Sequence, residues 1–218
     1  MSGQDPDGTW QGVAPDLARA VAARLGTDVA FVPYDSPGPL ADAADTGAWS
    51  IGMIGAEPAR AERIRFSPAY VEIEATYLVP PDSALRHADD VDRPGNRISV
   101  FARSAYDLYL TRNLKHAHLV RADSFAAAFA AFRNDGLEAL ACLTPKLVDD
   151  APTWPGSRIL DGRFMAIQQA VGTSRANPEA ADFLERFVEE AKASGLVARW
   201  IADRHIRGLS VAPLTAIP

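Results

Sequence analysis

The sequence predicts an α/β fold of two lobes, in which each lobe is a mostly parallel sheet flanked by helices. Two series of alternating strands and helices support this prediction, because such alternation produces right-handed crossovers and parallel sheets. Two long extended segments, at 71–79 and 164–172, follow the two series. A chain that leaves one lobe and later returns to it needs two such crossings.

The first series begins with a helix whose apolar positions, Leu17, Val21 and Leu25, repeat at helical spacing. Pro15 suits the first turn because no amide proton is needed there, and Gly26 ends the helix. Turn residues separate the elements that follow. The predicted elements are a helix at 15–25, a strand at 29–32, a helix at 40–47 and a strand at 50–54.

The second series contains residues that define where its helices begin. Ser104 and Asp107 have the spacing of a capping box, and Ser124 precedes a helix with three inward phenylalanines, Phe125, Phe129 and Phe132. The predicted strands are 97–101, 118–120 and 139–143. Helices at 178–194 and 196–201 come after the second crossing, and we expect the tail after Arg207 to run loosely over the surface.

These elements divide the chain into a discontinuous lobe and a continuous lobe. We expect lobe 1 to comprise residues 1–76 and 168–218, and lobe 2 to comprise residues 77–167. A chain of 218 residues that is 48% hydrophobic is long and apolar enough for two cores.

Composition excludes several classes of function. A formal net charge of -6 and the lack of a Lys/Arg block argue against nucleic acid or an anionic membrane as partner. The single cysteine, Cys142, lies in an apolar run and is interpreted as a buried structural thiol. The histidines lack metal-ligand spacing, and no phosphate-binding loop is present. We therefore expect no cofactor and no metal, and a small solute or a protein as partner.

The segment 47–70, GAWSIGMIGAEPARAERIRFSPAY, carries most of the functional information. It predicts a buried strand, a turn of small residues and a helical turn that contains Arg60. The planar guanidinium of arginine can bind a carboxylate through two parallel hydrogen bonds, so this order suits a small anion. The alternative is a solvated arginine beside Arg63 and Arg65.

Three segments, at 12–18 (GVAPDLA), 49–70 and 172–201, together resemble the bacterial extracellular solute-binding proteins of family 3. The resemblance covers nearly the whole chain. It implies a type II periplasmic binding fold whose lobes close on a small carboxylate or amino-acid-like solute in the cleft between them. It also implies a periplasmic location, delivery of the solute to the membrane permease of an ABC importer, and no catalysis.

The resemblance implies a ligand site with parts in both lobes. Arg60 aligns with the arginine that binds a ligand carboxylate, and Ser104 aligns with a hydroxyl residue at a helix N-terminus. The ligand-binding residues expected on this basis are Arg60, Gly52, Met53, Gly55, Ser104, Arg103 and Glu57. Ser104 as a plain N-cap, Arg103 as an exposed arginine and Glu57 as a surface carboxylate are the alternatives.

One position departs from the family pattern. Members that bind amino acids place an aspartate at the end of the strand at 139–143, where this chain has Leu143. A buried ammonium without a carboxylate costs on the order of several kcal/mol. A carboxylate ligand without an ammonium is therefore the rival to an amino acid, unless Glu57, Glu72 or Asp161 supplies the missing charge.

Two further functions are compatible with the same pattern. Cyclohexadienyl and arogenate dehydratases share this fold, and such an enzyme would use Arg60 as a carboxylate clamp and Glu57 or Glu72 as a general acid. A sensor domain of the kind that precedes kinase or channel segments is the other alternative.

The beginning of the chain is atypical for the family. Residues 5–12 predict a hairpin turn whose preceding strand is missing, and residues 1–5 lack the features of a signal peptide. We expect Met1 to be an internal methionine, with an export signal and a first strand encoded upstream. Loss of that strand would open sheet edges and favour dimers or other oligomers.

Overall fold

The computed structural model describes residues 2–204 and 208–215. Two compact units make up the chain. Unit 1 contains Met1–Asp35, Pro39–Glu72 and Gln168–Pro218, and unit 2 contains Ser36–Gly38 and Ile73–Ile167. Apart from the short segment Ser36–Gly38, the chain passes from unit 1 to unit 2 after Glu72 and returns after Ile167, and both of these points fall inside long strands.

The elements before the first passage are short except for one helix. They are β1 (Gly3–Gln4), β2 (Trp10–Gln11), α1 (Val13–Leu25), α2 (Pro37–Asp42), β3 (Gly52–Gly55), α3 (Pro58–Ala61) and β4 (Ile64–Phe66). β1 and β2 pair antiparallel. The turn that was predicted to lack a preceding strand therefore closes a short hairpin.

The remaining elements include both long strands. They are β5 (Val71–Val79), β6 (Arg97–Phe101), α4 (Ala105–Asn113), β7 (His118–Ala122), α5 (Phe125–Asn134), β8 (Ala139–Leu143), α6 (Thr144–Asp150), β9 (Arg158–Ile159), β10 (Met165–Ser174), α7 (Pro178–Ala193), α8 (Leu196–Arg204) and β11 (Leu209–Val211). The predicted strand at 97–101 has the observed bounds, and so does the one at 139–143.

Helix α1 follows its sequence closely. Gly26 adopts the left-handed conformation at its C-terminus, with φ 66°, which glycine reaches without steric cost. Leu17 and Val21 are buried as predicted. Leu25, the third residue of the predicted apolar repeat, is 57% exposed because the helix ends there.

The predicted strand at 29–32 does not form, and this expectation is wrong. Residues 27–34 have no regular secondary structure, and Val32 is 50% exposed. An apolar run becomes a strand only where a neighbour completes its backbone hydrogen bonds. No strand within the described residues pairs with this run.

Unit 2 has the parallel arrangement that the alternation predicts. β6 pairs parallel with β7 on one side and with β8 on the other, and β5 pairs antiparallel with β8. Of the three phenylalanines on α5, Phe132 is fully buried, whereas Phe125 and Phe129 are half-buried. Only the innermost residue of the predicted stripe therefore belongs to the core.

Unit 1 is arranged differently. Both β3 and β4 pair antiparallel with β10, because β10 is the returning strand and runs against both of them. Ala44, Ile54 and Ile64 form a core cluster against which Trp49 and Phe66 pack. This cluster anchors one face of β3.

The described part of the tail is held in place, contrary to the expectation of a loose extension. β11 pairs with β5, and the amide of Ala212 donates to the carbonyl oxygen of Tyr70. Lys192 Nζ donates to the carbonyl oxygen of Pro213 at 2.7 Å. Residues 205–207 and 216–218 lie outside the described part of the chain.

Helix α7 has 16 residues and buries one face, on which Leu184, Phe187 and Val188 lie. Its opposite face carries the charged residues expected of an amphipathic helix. Among the helices that the structure describes, none combines the length and the apolar character needed to cross a bilayer.

Candidate functional site

The backbone groups of β3 point to two different edges, one facing β10 and one facing away from it. Ala56, which follows the strand, donates its N–H to the carbonyl oxygen of Gln168 at 2.8 Å. Backbone groups of successive strand residues point to opposite edges, so Ile54 also turns its N–H and C=O toward β10. Met53 and Gly55 therefore turn theirs away from β10, to the outer edge of the sheet in unit 1.

Arg60 lies at this outer edge. It is in helix α3, directly after the strand, and its Nη1 donates to the carbonyl oxygen of Gly55 at 2.8 Å. Its residue is only 5% exposed, whereas Arg63 is exposed. Arg60 is therefore not the solvated arginine of the alternative interpretation, and its guanidinium is fixed beside an outward-facing backbone edge.

Glu57 is buried, contrary to the surface position that the alternative interpretation gave it. The residue is 5% exposed and stands at the N-cap of α3, but its side chain does not cap the helix. Pro58 restricts the preceding residue to extended conformations, and Glu57 has φ -130° and ψ 142°. Side chains alternate along an extended chain, so Glu57 shares its face with Met53 and Gly55, opposite Ile54.

Gly52 was expected to bind ligand together with Met53 and Gly55, but its environment differs from theirs. A Cβ atom there would lie 3.1 Å from Leu40 Cδ2 and 3.3 Å from the ring of Trp49. Gly52 turns its backbone groups toward β10, in the opposite direction from those of Met53 and Gly55. The structure thus places Gly52 on the packed side of the strand.

In unit 2, Ser104 is the N-cap of α4. Its Oγ accepts a hydrogen bond from Asp107 N at 3.1 Å, and its carbonyl oxygen accepts one from Leu108 N at 3.0 Å. The first N–H groups of a helix have no acceptor within the helix, which leaves the amides of Ala105 and Tyr106 at this end. These amides and the helix dipole give the N-terminus of α4 a positive potential.

Asp107 does not complete the predicted capping box. Its Oδ2 accepts a hydrogen bond from the amide of Arg103 at 2.8 Å, and its Oδ1 accepts one from Arg121 Nε at 2.9 Å. Asp107 is 4% exposed, so these two hydrogen bonds to its carboxylate are shielded from solvent. The Ser-x-x-Asp spacing identified Asp107, but no sequence signal pointed to Arg121 as its partner.

Arg103 adopts the left-handed conformation, with φ 61°. A residue with a side chain pays roughly 1–2 kcal/mol for this conformation, and the hydrogen bond from its amide to Asp107 helps to hold it. The residue is exposed, as the alternative interpretation has it. Its guanidinium packs on Gly38, where a Cβ atom would lie 2.9 Å from Arg103 Cζ.

Leu143 ends strand β8, as predicted, and no charge stands at its position. The neighbouring Cys142 is 2% exposed, and burial raises the pKa of its thiol to about 12. Its Sγ lies 3.7 Å from the hydroxyl oxygen of Tyr106. Cys142 is therefore the buried structural thiol that the sequence predicted and is unsuited to act as a nucleophile.

Two aromatic residues of unit 1, Tyr70 and Trp10, have packing positions. Tyr70 is fully buried, and burial raises the pKa of its hydroxyl. The ring of Trp10 lies 6.2 Å from that of Phe31. Within residues 2–204 and 208–215, no three His, Cys, Asp or Glu side chains come together as a metal site requires.

Comparison with known proteins gives a family match over most of the chain. The family model for bacterial extracellular solute-binding proteins, family 3, matches residues 1–206. Among curated proteins, none matches this sequence.

Several solved structures are similar to this one. An ancestral amino acid-binding protein, described as a precursor of cyclohexadienyl dehydratase, has a TM-score of 0.74 at 23% identity, with 93% of this chain and 88% of that chain covered. The substrate binding protein of an amino acid ABC transporter has a TM-score of 0.75 at 18% identity, covering 93% and 92%. An ancestral arginine-binding protein bound to arginine has a TM-score of 0.76 at 20% identity, covering 93% and 91%. At these identities the likeness establishes a shared fold.

Proposed function

Because the chain belongs to the bacterial extracellular solute-binding proteins of family 3, we propose that it is the substrate-binding component of an ABC importer. Its fold is the type II periplasmic binding fold that the resemblance implied. The proposed ligand is a small carboxylate or an amino-acid-like solute, and the proposed partner is a permease in the membrane. The proposed location is the periplasm, in keeping with the extracellular character of the family.

The observation that carries this proposal is the position of Arg60. Its guanidinium is buried and hydrogen-bonded to the carbonyl oxygen of Gly55, at the edge of β3 that faces away from β10. The N–H of Gly55 points to the same edge as its carbonyl oxygen. A carboxylate at this edge would meet a planar guanidinium and a backbone N–H, a combination that gives strong, directional hydrogen bonds.

The N-terminus of α4 is the second proposed anion-binding element. Ser104 contributes a hydroxyl, and Ala105 and Tyr106 contribute backbone amides at the positive end of a helix of nine residues. The Asp107–Arg121 pair fixes the turn before this helix by holding the amide of Arg103.

A dehydratase is the second candidate function. The likeness to the ancestral protein described as a precursor of cyclohexadienyl dehydratase favours it. Arg60 would then clamp a substrate carboxylate, and the buried Glu57 would act as general acid. Incubation of the pure protein with prephenate or arogenate distinguishes the two functions: the receptor proposal predicts no turnover, and product formation would contradict it.

A thermal-shift screen tests the receptor proposal directly. The panel contains the common L-amino acids and small carboxylates such as succinate and glutarate. A compound at 100 times its dissociation constant stabilises the folded protein by about 2.7 kcal/mol, which raises the unfolding temperature measurably. A stable, folded protein that responds to no member of this panel would contradict the proposal.

A further inference from the structure

We propose that unit 2 contains a further anion site, at which Arg86 and Arg158 together bind a tetrahedral dianion such as phosphate or sulfate. The site is formed by the loop after β5 and by the short strand β9. It is distinct from the anion-binding element proposed at Ser104 and goes beyond the proposed function.

The two guanidinium groups of this site share their hydrogen-bond acceptors. Arg86 Nη1 donates to the carbonyl oxygen of Ser83 at 2.7 Å and to that of Leu85 at 3.2 Å. Arg158 Nη2 donates to the same two oxygens, at 2.8 Å and 3.2 Å. Two groups that bind one oxygen lie within the span of two hydrogen bonds of each other, so the two positive charges are close neighbours.

Neither guanidinium is neutralised by a carboxylate. Within the part of the chain that the structure describes, no Asp or Glu forms an ion pair with either of them, whereas Arg93 pairs with Asp90 and Arg163 pairs with Glu74. The shared acceptors are carbonyl oxygens, which carry no net charge, so the two guanidinium groups repel each other. An anion bound between them would remove this repulsion.

The backbone around the site is held in place. The N–H of Arg86 donates to Asp90 Oδ2 at 3.1 Å, and its carbonyl oxygen accepts a hydrogen bond from the amide of Asp161 at 3.2 Å. His87 and Asp161 form a β-bridge, and Arg158 belongs to β9, which pairs with β5. Because these segments are already ordered, binding of an ion needs to immobilise little of the chain.

The donors that remain suit an anion with four oxygens. A guanidinium carries five N–H groups in one plane. The shared carbonyl oxygens engage Nη1 of Arg86 and Nη2 of Arg158, and the Nε and the second Nη of each residue have no acceptor among the described residues. Two positive charges with several N–H groups match a tetrahedral dianion better than a monocarboxylate, which has one charge and two oxygens.

The site lies at the opposite end of the unit 2 sheet from Ser104. β5 pairs antiparallel with β8, so the last residues of β5 lie beside the beginning of β8. Arg158 pairs with Val79 at this end. Ser104 follows the C-terminal end of β6, which runs parallel to β8. An ion bound between Arg86 and Arg158 should therefore not compete with a ligand at Ser104.

Exposure and net charge favour a small ion in solution as the ligand. Arg86 is exposed and Arg158 is half-buried, so the site opens to solvent. The chain has a formal net charge of -6, which an anionic lipid surface would repel. A free phosphate therefore fits the site better than a lipid headgroup of the same chemistry.

An NMR titration of the isotope-labelled full chain tests this site. The probes are sodium phosphate, sodium sulfate and sodium acetate at constant ionic strength, because added salt by itself weakens charge interactions. Vesicles that contain phosphatidic acid form a separate arm and distinguish a lipid headgroup from a free ion. The variants are Arg86→Gln and Arg158→Gln, and Arg93→Gln is the matched control, because Arg93 lies in the same segment but is paired with Asp90.

The inference predicts saturable shifts of the backbone amides at 83–87 and 158–160 with phosphate and with sulfate. Acetate should bind at least about tenfold more weakly, and the vesicles should shift none of these signals. Arg86→Gln and Arg158→Gln should each lower the affinity for phosphate about tenfold or more, because each removes one of the two charges. Arg93→Gln should stay within about threefold of the wild-type protein.

Other results would overturn the site. Shifts that do not saturate, that lie outside the two segments, or that persist in both glutamine variants would mean an adventitious ion only. Acetate binding as tight as phosphate binding would overturn the choice of a tetrahedral dianion, and shifts with vesicles alone would overturn the choice of a free ion. Circular dichroism checks that the variants are folded; if one is not, the wild-type shifts and the comparison with acetate decide.

The solute-binding proposal is tested separately from this site. Isothermal titration with the tightest-binding compound of the thermal-shift panel should give the same affinity for Arg86→Gln and Arg158→Gln as for the wild-type protein. Failure of phosphate to bind leaves that result unchanged, and failure of every panel compound to bind leaves the phosphate titration unchanged. A loss of solute affinity in both folded variants would contradict a site that is independent of the solute.

Discussion

Arg60 Nη1 donates a hydrogen bond of 2.8 Å to the carbonyl oxygen of Gly55, five residues earlier in the chain. This contact joins a buried guanidinium to the edge of β3 that does not pair with β10. Burial removes water from the charged guanidinium, which costs free energy. The hydrogen bond to the carbonyl oxygen offsets part of this cost. In the proposed site, the same contact would hold the guanidinium in place beside a ligand anion.

Replacing Ser104 with alanine should weaken both the fold and the binding of ligand. Loss of the cap to Asp107 N should cost about 1 kcal/mol of stability. If the hydroxyl also bonds to a ligand anion, affinity should fall about tenfold. Urea unfolding and isothermal titration with the tightest-binding amino acid of the thermal-shift panel measure the two effects.

Ser124 provides the matched control for this prediction. It caps α5 through a bond of 3.0 Å to Ala127 N and belongs to the same unit. Ser124→Ala should destabilise by a similar amount and leave affinity unchanged. Equal affinities for the two variants would mean that Ser104 is an N-cap and nothing more.

Replacing Lys192 with methionine should strongly destabilise the protein. Lys192 and Glu189 form an ion pair of 2.7 Å with side chains only 1% and 8% exposed. Removing one partner of a buried pair leaves an uncompensated charge, which costs about 3–5 kcal/mol. The loss of the bond to Pro213 should also release the tail that Lys192 holds.

The pair Lys146–Asp150 is the control for the buried pair. Its lysine side chain is 46% exposed, so solvent screens the interaction. Lys146→Met should change the free energy of unfolding by less than about 1 kcal/mol. A comparably small effect of Lys192→Met would show that the buried pair does not stabilise the fold.

Cys142 should be unreactive in the native protein. Burial raises the pKa of its thiol from the ordinary 9.0 to about 12, so the thiolate is scarce at pH 8. DTNB should label no thiol until urea unfolds the chain, after which it should label one. Rapid labelling of the native protein at pH 8 would contradict the buried position.

The same pKa shift predicts a direction for stability at alkaline pH. The native state holds the Cys142 proton more tightly than the unfolded state does, because its pKa is the higher of the two. The stability linked to this proton is therefore complete below about pH 9 and is lost as pH rises toward 12. Cys142→Ser should show a weaker loss over this range.

Local sequence patterns predicted the elements of unit 2 well. β8 is a continuous apolar run and β6 is buried at its three central positions, a pattern that is typical of parallel strands whose two faces are both covered. Unit 1 was harder to predict, because residues 29–32 have the composition of a strand but no pairing partner among the described residues. Pairing is a property of the tertiary structure and leaves no local signal.

The sequence named the candidate residues around Arg60 but could not predict how deeply they are buried. The motif around Arg60 identified the arginine, yet its burial depends on the surrounding structure and cannot be read from the order of the residues. The same holds for Glu57, which sequence reasoning could equally assign to the surface. The left-handed conformation of Arg103 was unexpected, because a residue other than glycine rarely adopts it without a supporting contact such as Asp107.

The central claim is that this protein binds a solute through the guanidinium of Arg60. Isothermal titration with the tightest-binding compound of the thermal-shift panel should compare the wild-type protein with Arg60→Met and Arg63→Met. Arg63 is exposed and lies three residues further along the same motif, so it controls for the loss of a positive charge. Circular dichroism confirms that both variants are folded.

The account predicts that Arg60→Met lowers affinity by about a hundredfold or more, as expected when one partner of a buried charge pair is removed, and that Arg63→Met changes it less than threefold. A folded Arg60→Met variant that binds the compound as tightly as the wild-type protein would contradict the claim and remove Arg60 from the site.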